Sequence, residues 1–280
     1  MALLLSFALG ASSEARPSCE AQWSARAVSP VVGIVTGVEH TGSTVMAWLI
    51  KNLPEAFSGF ECGFLVGESP AAFEGSYWAQ RMEHPTNFMH MWNVSAAGMR
   101  RLYDAPCFVD MYERLLEVDG YLRAMPAARV LDKTPEYVHR LPAVLKRAPG
   151  VPCVVMTKHN ARTKSHEAAL RDSTLRPRIF EVKYEDFVRE PMAVMRRVVR
   201  FLKLDENSWT EAFLRNGTGL KEKLRPFLGQ HTASKFAKSV SFNADGGKCD
   251  KTVVKKSHGK LCHHDLAYAA LPGSNWSPGV

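Results

Sequence analysis

The sequence predicts an α/β protein, a single three-layer domain built on a central parallel sheet. Three observations carry that prediction. Apolar runs of strand length alternate with segments of helical spacing across residues 30–205. The first of these runs is nearly all apolar, as a parallel strand buried on both faces is. The first, Val31-Val32-Gly33-Ile34-Val35, leads through a glycine-bearing turn into a helix, in the stretch GVEHTGSTVMAWLI from Gly37 to Ile50.

The elements follow in order. Val31–Thr36 reads as the first strand and Ser43 to about Asn52 as the first helix. A second strand is expected near Phe57–Cys62. Residues 68–98, rich in aromatic residues, Met and His, read as loops and short helices that cover a substrate. Gly98–Val118 has helical spacing. Arg129–Leu131 is a short strand, after which Thr134 stands as N-cap and Pro135 at the first helical position of a helix to about Ala148. VPCVVMTK (151–158) is the next strand, and a helix starts near Ala161. PRIFEVKYEDF (177–187) is a strand ending in an acidic turn. Pro191–Leu204 is an amphipathic helix with Met195, Val198, Val199 and Leu202 on one face. Residues 14–29 read as a linker. The expected organisation is therefore a leader and linker over 1–29, an α/β core over 30–215 and a basic C-terminal extension over 216–280.

The chain has 280 residues, 46% of them hydrophobic, enough for one large α/β core. Its formal charge of +8 suits an anionic ligand, an acidic polymer or a membrane surface. No apolar segment reaches the ~20 residues that span a bilayer. Residues 1–13 resemble a short signal-peptide core, with Ala11 and Ser13 small enough to flank a cleavage site, so the secretory pathway is expected over the cytoplasm. Asn93, Asn216 and Asn275 head Asn-x-Ser/Thr sites. The six cysteines form no CxxC pair. Cys153 reads as a buried strand residue. Cys249 and Cys262 flank a basic loop and would pair in an oxidising compartment.

The turn after the first strand carries the chemistry. A loop entering a helix holds an anion through backbone N–H groups and the positive helix end. Gly37 and Gly42 have the spacing of the nucleotide-kinase pattern GxxxxGK[ST], but Ser43 stands where that pattern has lysine. The plain alternative is a tight strand-to-helix turn with Thr41 as N-cap.

Four segments in order resemble the PAPS-dependent sulfotransferases. Glu39-His40-Thr41-Gly42-Ser43-Thr44 stands in the place of that family's Pro-Arg/Lys-Ser-Gly-Thr-Thr loop. LDKTPEYVHRLPAVLKRAPG (131–150) is similar to its Asp/Glu-Lys-Thr/Ser-Pro segment. PCVVMTKHNARTKSH (152–166) is similar to its strand and turn for the 3′-phosphate. RIFEVKYEDFVREPMAVMRRVVRFLKLD (178–205) resembles its Tyr-Glu-Asp-Leu segment and following helix. The resemblance implies a P-loop-NTPase-like sulfotransferase fold and PAPS as co-substrate. It places Thr41, Gly42, Ser43 and Thr44 at the 5′-phosphosulfate, and Lys158 and Ser165 at the 3′-phosphate. His40 takes the position of the loop cation, and Lys133 is a second cation for the sulfonate. Glu61 is the first candidate for the base, ahead of His84 and His90.

Departures from the pattern matter chemically. His40 replaces Arg or Lys and donates the same hydrogen bond only when protonated, so activity would fall as pH rises. Glu39 replaces Pro and sets a negative charge near an anion site. Lys158 replaces Arg and loses its planar fork. Asn160 replaces Pro, and Lys158 to Ser165 is one residue shorter than usual. No metal is expected, because no carboxylate cluster or His/Cys pair has ligand spacing. The expected partner is a small-molecule or glycan acceptor, with Trp78, Phe88 and Trp92 as aromatic candidates to hold it, and no nucleic acid. A P-loop nucleotide kinase and a non-catalytic anion- or glycan-binding protein are the competing readings.

Overall fold

The computed structural model describes residues 18–51, 53, 55–59, 61–83, 92–118, 122–124 and 129–210. His84, Phe88, His90, Asn216, Asn275, Cys249, Cys262, the apolar start and the basic extension lie outside the described residues.

Five parallel strands form one sheet in the order β2-β3-β1-β4-β5. They are β1 Val31–Gly37, β2 Ala56–Phe57, β3 Arg129–Lys133, β4 Cys153–Thr157 and β5 Ile179–Lys183. Side chains alternate between the faces. Cys153 and Val155 face one apolar cluster, and Val154 and Met156 face the other. Both faces are covered over β1 and β4, which is why those two read as apolar runs.

The helices divide by face. On one face lie α3 Pro70–Glu74, α5 Ala96–Tyr103, α6 Phe108–Val118, α7 Leu141–Arg147 and α8 Lys164–Arg171, with α4 Tyr77–Glu83 beside α3. On the other lie α2 Ser43–Ile50, α9 Tyr184–Arg189 and α10 Pro191–Phe201. The β2–β3, β3–β4 and β4–β5 crossovers therefore use one face, and only the β1–β2 crossover through α2 uses the other. The connection reverses direction at the C-terminal end of β1, where open α/β sheets form their ligand crevice.

Four expectations are corrected. Residues 14–29 are not simply a linker: Cys19–Ala25 is a helix, α1, joined to the core by a Cys19–Cys107 disulfide. Its Trp23 ring meets Tyr112, and Arg26 pairs with Asp110 and Glu113 of α6. The segment 98–118 is two helices, because Pro106 disfavours helical geometry at Ala105 and separates α5 from α6. The helix expected from Thr134 to Ala148 is a 3-10 turn, Pro135–His139, followed by α7. Pro142 has no N–H to give the Val138 carbonyl, so one continuous helix cannot form. The Thr163 hydroxyl donates to that carbonyl instead, at 2.8 Å. The strand near Phe57–Cys62 is two residues long and ends at Phe57. The amphipathic helix agrees with its pattern: Met195, Val198, Val199 and Leu202 are all buried.

Candidate active site

The turn between β1 and α2 is closed by its own atoms. A Cβ at Gly37 would lie 2.4 Å from the Met156 carbonyl oxygen and 2.7 Å from Thr41 Oγ1, so β4 and the turn leave room only for glycine. The Thr41 amide and hydroxyl both donate to the Val38 carbonyl, at 3.2 and 2.7 Å. The Thr41 hydroxyl proton is thus engaged in closing the turn. The N-cap of α2 is Gly42, not Thr41, with φ at 88°. A Cβ there would meet the Tyr184 ring at 2.9 Å. No side chain caps α2. Its first amides, which have no intrahelical acceptor, sit at the positive helix end. Ser43 is buried and Thr44 half-buried beside them, and His40 is exposed at the turn with φ at 65°.

Register brings the second segment alongside. Val35 of β1 pairs with Lys133 of β3, and the Thr36 hydroxyl donates to the Pro135 carbonyl at 2.9 Å. Lys133 Nζ donates to Glu61 Oε1 at 2.8 Å, with the two side chains only 8% and 6% exposed. Behind this pair, the buried Asp132 carboxylate accepts from the hydroxyls of Tyr112, Tyr137 and Thr134. Thr134 Oγ1 accepts from the Gly63 amide at 3.0 Å, and the Tyr137 oxygen from the Leu65 amide at 3.1 Å. The segment that carries Glu61 is therefore hung by two backbone amides on the turn that follows β3. Burial pushes Asp132 above the usual carboxylate range, against the opposing effect of the three hydroxyls. Burial, then the Asp132 charge, pushes both tyrosines well above their ordinary value, so each keeps the proton it donates.

The third segment leaves β4. Lys158 Nζ lies 5.2 Å from the centroid of the Tyr184 ring. His159 and Asn160 both have left-handed φ, 53° and 56°, a conformation that non-glycine residues adopt sparingly. The His159 amide donates to Glu185 at 2.9 Å. Arg162 grips Glu181 with two hydrogen bonds, of 2.7 and 2.9 Å. Because this turn runs on, α8 begins at Lys164 rather than near Ala161, capped by Thr163. Ser165 Oγ accepts from the Leu141 amide at 2.8 Å, the donor freed by the break before α7.

Among the residues singled out from sequence, the structure joins Glu61 to Lys133 directly. It gathers residues 40–44, Lys133 and Lys158 at the C-terminal ends of three neighbouring strands, β3, β1 and β4. Ser165 lies within a structural hydrogen bond. Trp92 is not an acceptor surface: it is fully buried, its ring 5.3 Å from that of Phe57. Asp132, Tyr112, Tyr137, Tyr184 and Arg162 received no role from sequence. Only Asp132 left a signal, as a carboxylate inside an apolar strand next to Lys133. Among the described residues, no group of three or more His, Cys, Asp or Glu gathers as a metal site would. Among them, too, no helix is long and apolar enough to cross a membrane.

The molecule is thus an α/β protein with an uncapped helix start and a buried Lys–Glu pair at its switch point. No protein-family model and no curated protein matches the chain. Among solved structures it is similar to the sulfotransferase domain of the Synechococcus PCC 7002 olefin synthase, with 16% identity, a TM-score of 0.41, and 65% of this chain and 77% of that one covered. It is similar to the sulfotransferase domain from the curacin biosynthetic pathway at 16% identity and TM-score 0.40, covering 65% and 77%. Sulfotransferase STF9 from Mycobacterium avium aligns at 15% identity and TM-score 0.39, covering 65% of this chain and 67% of that one.

Proposed function

We propose that the chain transfers a sulfuryl group from PAPS to a hydroxyl or amine of a small-molecule or glycan acceptor. The observation that carries this reading is that the uncapped start of α2 and the Lys133–Glu61 pair lie at the C-terminal ends of two neighbouring strands, β1 and β3. The first supplies oriented N–H donors for an anion; the second sets a cation and a proton acceptor 2.8 Å apart. These residues fit a phosphosulfate. The amides at the start of α2, with Ser43, Thr44 and His40, hold the 5′ end. Lys133 faces the sulfonate, and Lys158 stands toward the 3′-phosphate.

In the transfer, the acceptor oxygen forms a bond to sulfur as the bond from sulfur to the bridging oxygen breaks. The bridging oxygen keeps the electron pair, and the acceptor proton goes to Glu61. Once Glu61 is neutral, the charge of Lys133 is no longer matched by it and can meet the developing anion. His40 donates to the bridging oxygen while protonated.

The same reading sets the protein in the secretory pathway. The Cys19–Cys107 disulfide supports an oxidising compartment. Asn93, exposed before α5, is available there for glycosylation.

The experiment is transfer of ³⁵S from labelled PAPS to glycan, steroid and small-alcohol acceptors, with EDTA present, alongside thermal stabilisation by adenosine 3′,5′-bisphosphate and by ADP-Mg²⁺. Transfer and stabilisation by the bisphosphate are expected. Stabilisation by ADP-Mg²⁺ alone would favour a kinase. His40→Ala should lose roughly a hundredfold in turnover. His40→Lys should keep it.

A further inference from the structure

One carboxylate of β5, Glu181, is shared with the turn after β4 in a way the proposed transfer does not use. Glu181 Oε1 receives Arg162 Nε at 2.7 Å, and His166 Nε2 faces the same oxygen at 3.4 Å. His166 is 0% exposed, and neither of its ring nitrogens makes a hydrogen bond. A buried imidazole without hydrogen bonds is costly, so the arrangement holds an unmet interaction. Arg162 is 44% exposed and Glu181 25%. A pair that open contributes little, and a doubly charged phosphate is the stronger partner for a guanidinium fork.

We infer that Arg162 is an anion-binding residue that an incoming phosphate monoester draws away from Glu181, with His166 taking up a proton to meet the carboxylate left behind. This rests on reading the site as one for PAPS, whose 3′-phosphate is such a monoester. Arg162 lies four residues beyond Lys158 in the same turn and supplies the planar fork that Lys158 lacks.

The sign of the coupling follows from the neighbours. Burial lowers the proton affinity of His166; Glu181 raises it, Arg162 lowers it and Glu167 raises it. The elements packed on α8 also carry Glu136, His139, Lys146, Arg147, Arg176 and Arg178. Of these, Arg178 is held by the carbonyls of Leu145, Ala148 and Val151, and Arg147 by that of Leu65. When Arg162 turns to the ligand, a repelling charge leaves and Glu181 acts on the imidazole unopposed. Proton affinity rises, a proton is bound with the ligand, and by reciprocity the ligand binds more tightly as pH falls. Thr163 and Ser165 fix the start of α8 meanwhile, so Arg162 moves against a static frame.

The test is calorimetry of adenosine 3′,5′-bisphosphate binding in two buffers of different ionisation enthalpy, at pH 6 and pH 8. It uses the full chain, Arg162→Gln, Glu181→Gln and His166→Gln, each checked for an unchanged far-UV spectrum. Arg162→Gln should bind roughly tenfold more weakly or worse. Glu181→Gln, with no competitor for Arg162, should bind more tightly. The wild-type chain should take up more protons on binding than His166→Gln, which removes the phosphate's own titration from the comparison. Wild-type binding with undiminished affinity in Arg162→Gln overturns this inference alone, and equal proton counts overturn its His166 part. No binding by the wild-type chain overturns the PAPS reading, and the inference with it.

Discussion

Replacing Lys133 by Met leaves Glu61 charged and buried with its salt-bridge partner gone. At 2.8 Å and an effective dielectric of 20, the attraction removed is about 6 kcal/mol. Much of that attraction offsets the desolvation of two groups less than a tenth exposed, so the net cost of a single replacement is about 3–5 kcal/mol. A domain of this kind has only about 5–15 kcal/mol of stability in total. Glu61→Gln takes the carboxylate away from the buried ammonium and should cost a similar amount. The double variant, Glu61→Gln with Lys133→Met, buries no charge and should regain most of the loss, giving a coupling energy of at least about 2 kcal/mol. Urea unfolding at pH 7, followed by tryptophan fluorescence and far-UV dichroism, measures all four corners of the cycle. Under the proposed function, sulfuryl transfer should behave differently, since that chemistry uses both groups: it should fall roughly a hundredfold or more in each single variant and stay low in the double. Single costs below about 1 kcal/mol, or costs that simply add, would refute the buried pair. Wild-type turnover in the double variant would remove both residues from the chemistry.

Three further outcomes are expected. Gly42→Ala should cost about 1–2 kcal/mol from the left-handed φ, and it forces Tyr184 off the turn; calorimetry should show weaker bisphosphate binding, and equal affinity would show that the Gly42–Tyr184 contact does not shape the site. Lys51 donates to the Ser58 carbonyl at 3.4 Å, and burial lowers its pKa from 10.5 to about 8. The unfolded chain binds the extra proton between those values, so the Lys51 contribution is whole above about pH 10.5 and is lost as pH falls through about 8. Lys51→Met should thus be more stable at pH 7 by about 1–3 kcal/mol and lose that pH dependence, which urea unfolding at pH 7 and pH 9.5 would reveal. Replacing both Cys19 and Cys107 by Ser releases a link across 88 residues and should cost about 2–4 kcal/mol; an unchanged unfolding midpoint would mean that the ion pairs of Arg26 hold α1 by themselves.

The sequence by itself determined the parallel sheet, the strand–turn–helix unit at β1 and the amphipathic α10. Each rests on local periodicity or on glycine at a fixed spacing, and neighbours along the chain suffice to impose those patterns. Pro106 and Pro142 were equally local, yet their effect depended on what replaced the missing bonds. The break before α7 is stable because Thr163 and Ser165, more than twenty residues onward, satisfy the freed carbonyl and amide. The same holds for the candidate site. His40, Lys133 and Lys158 were legible as cations near strand ends, and Glu61 as an acid after the second strand. That Lys133 meets Glu61, that Asp132 collects three hydroxyls, that Tyr184 covers Gly42 and that Arg162 and His166 share Glu181 follow from register and packing between segments as far apart in the chain as Gly42 and Tyr184. So does the Cys19–Cys107 link, for which no spacing rule exists. Tertiary structure alone decided these pairings, because a charge or hydroxyl in the core is tolerated only opposite its partner, and which partner lies opposite is fixed by how the strands stack rather than by the order of residues.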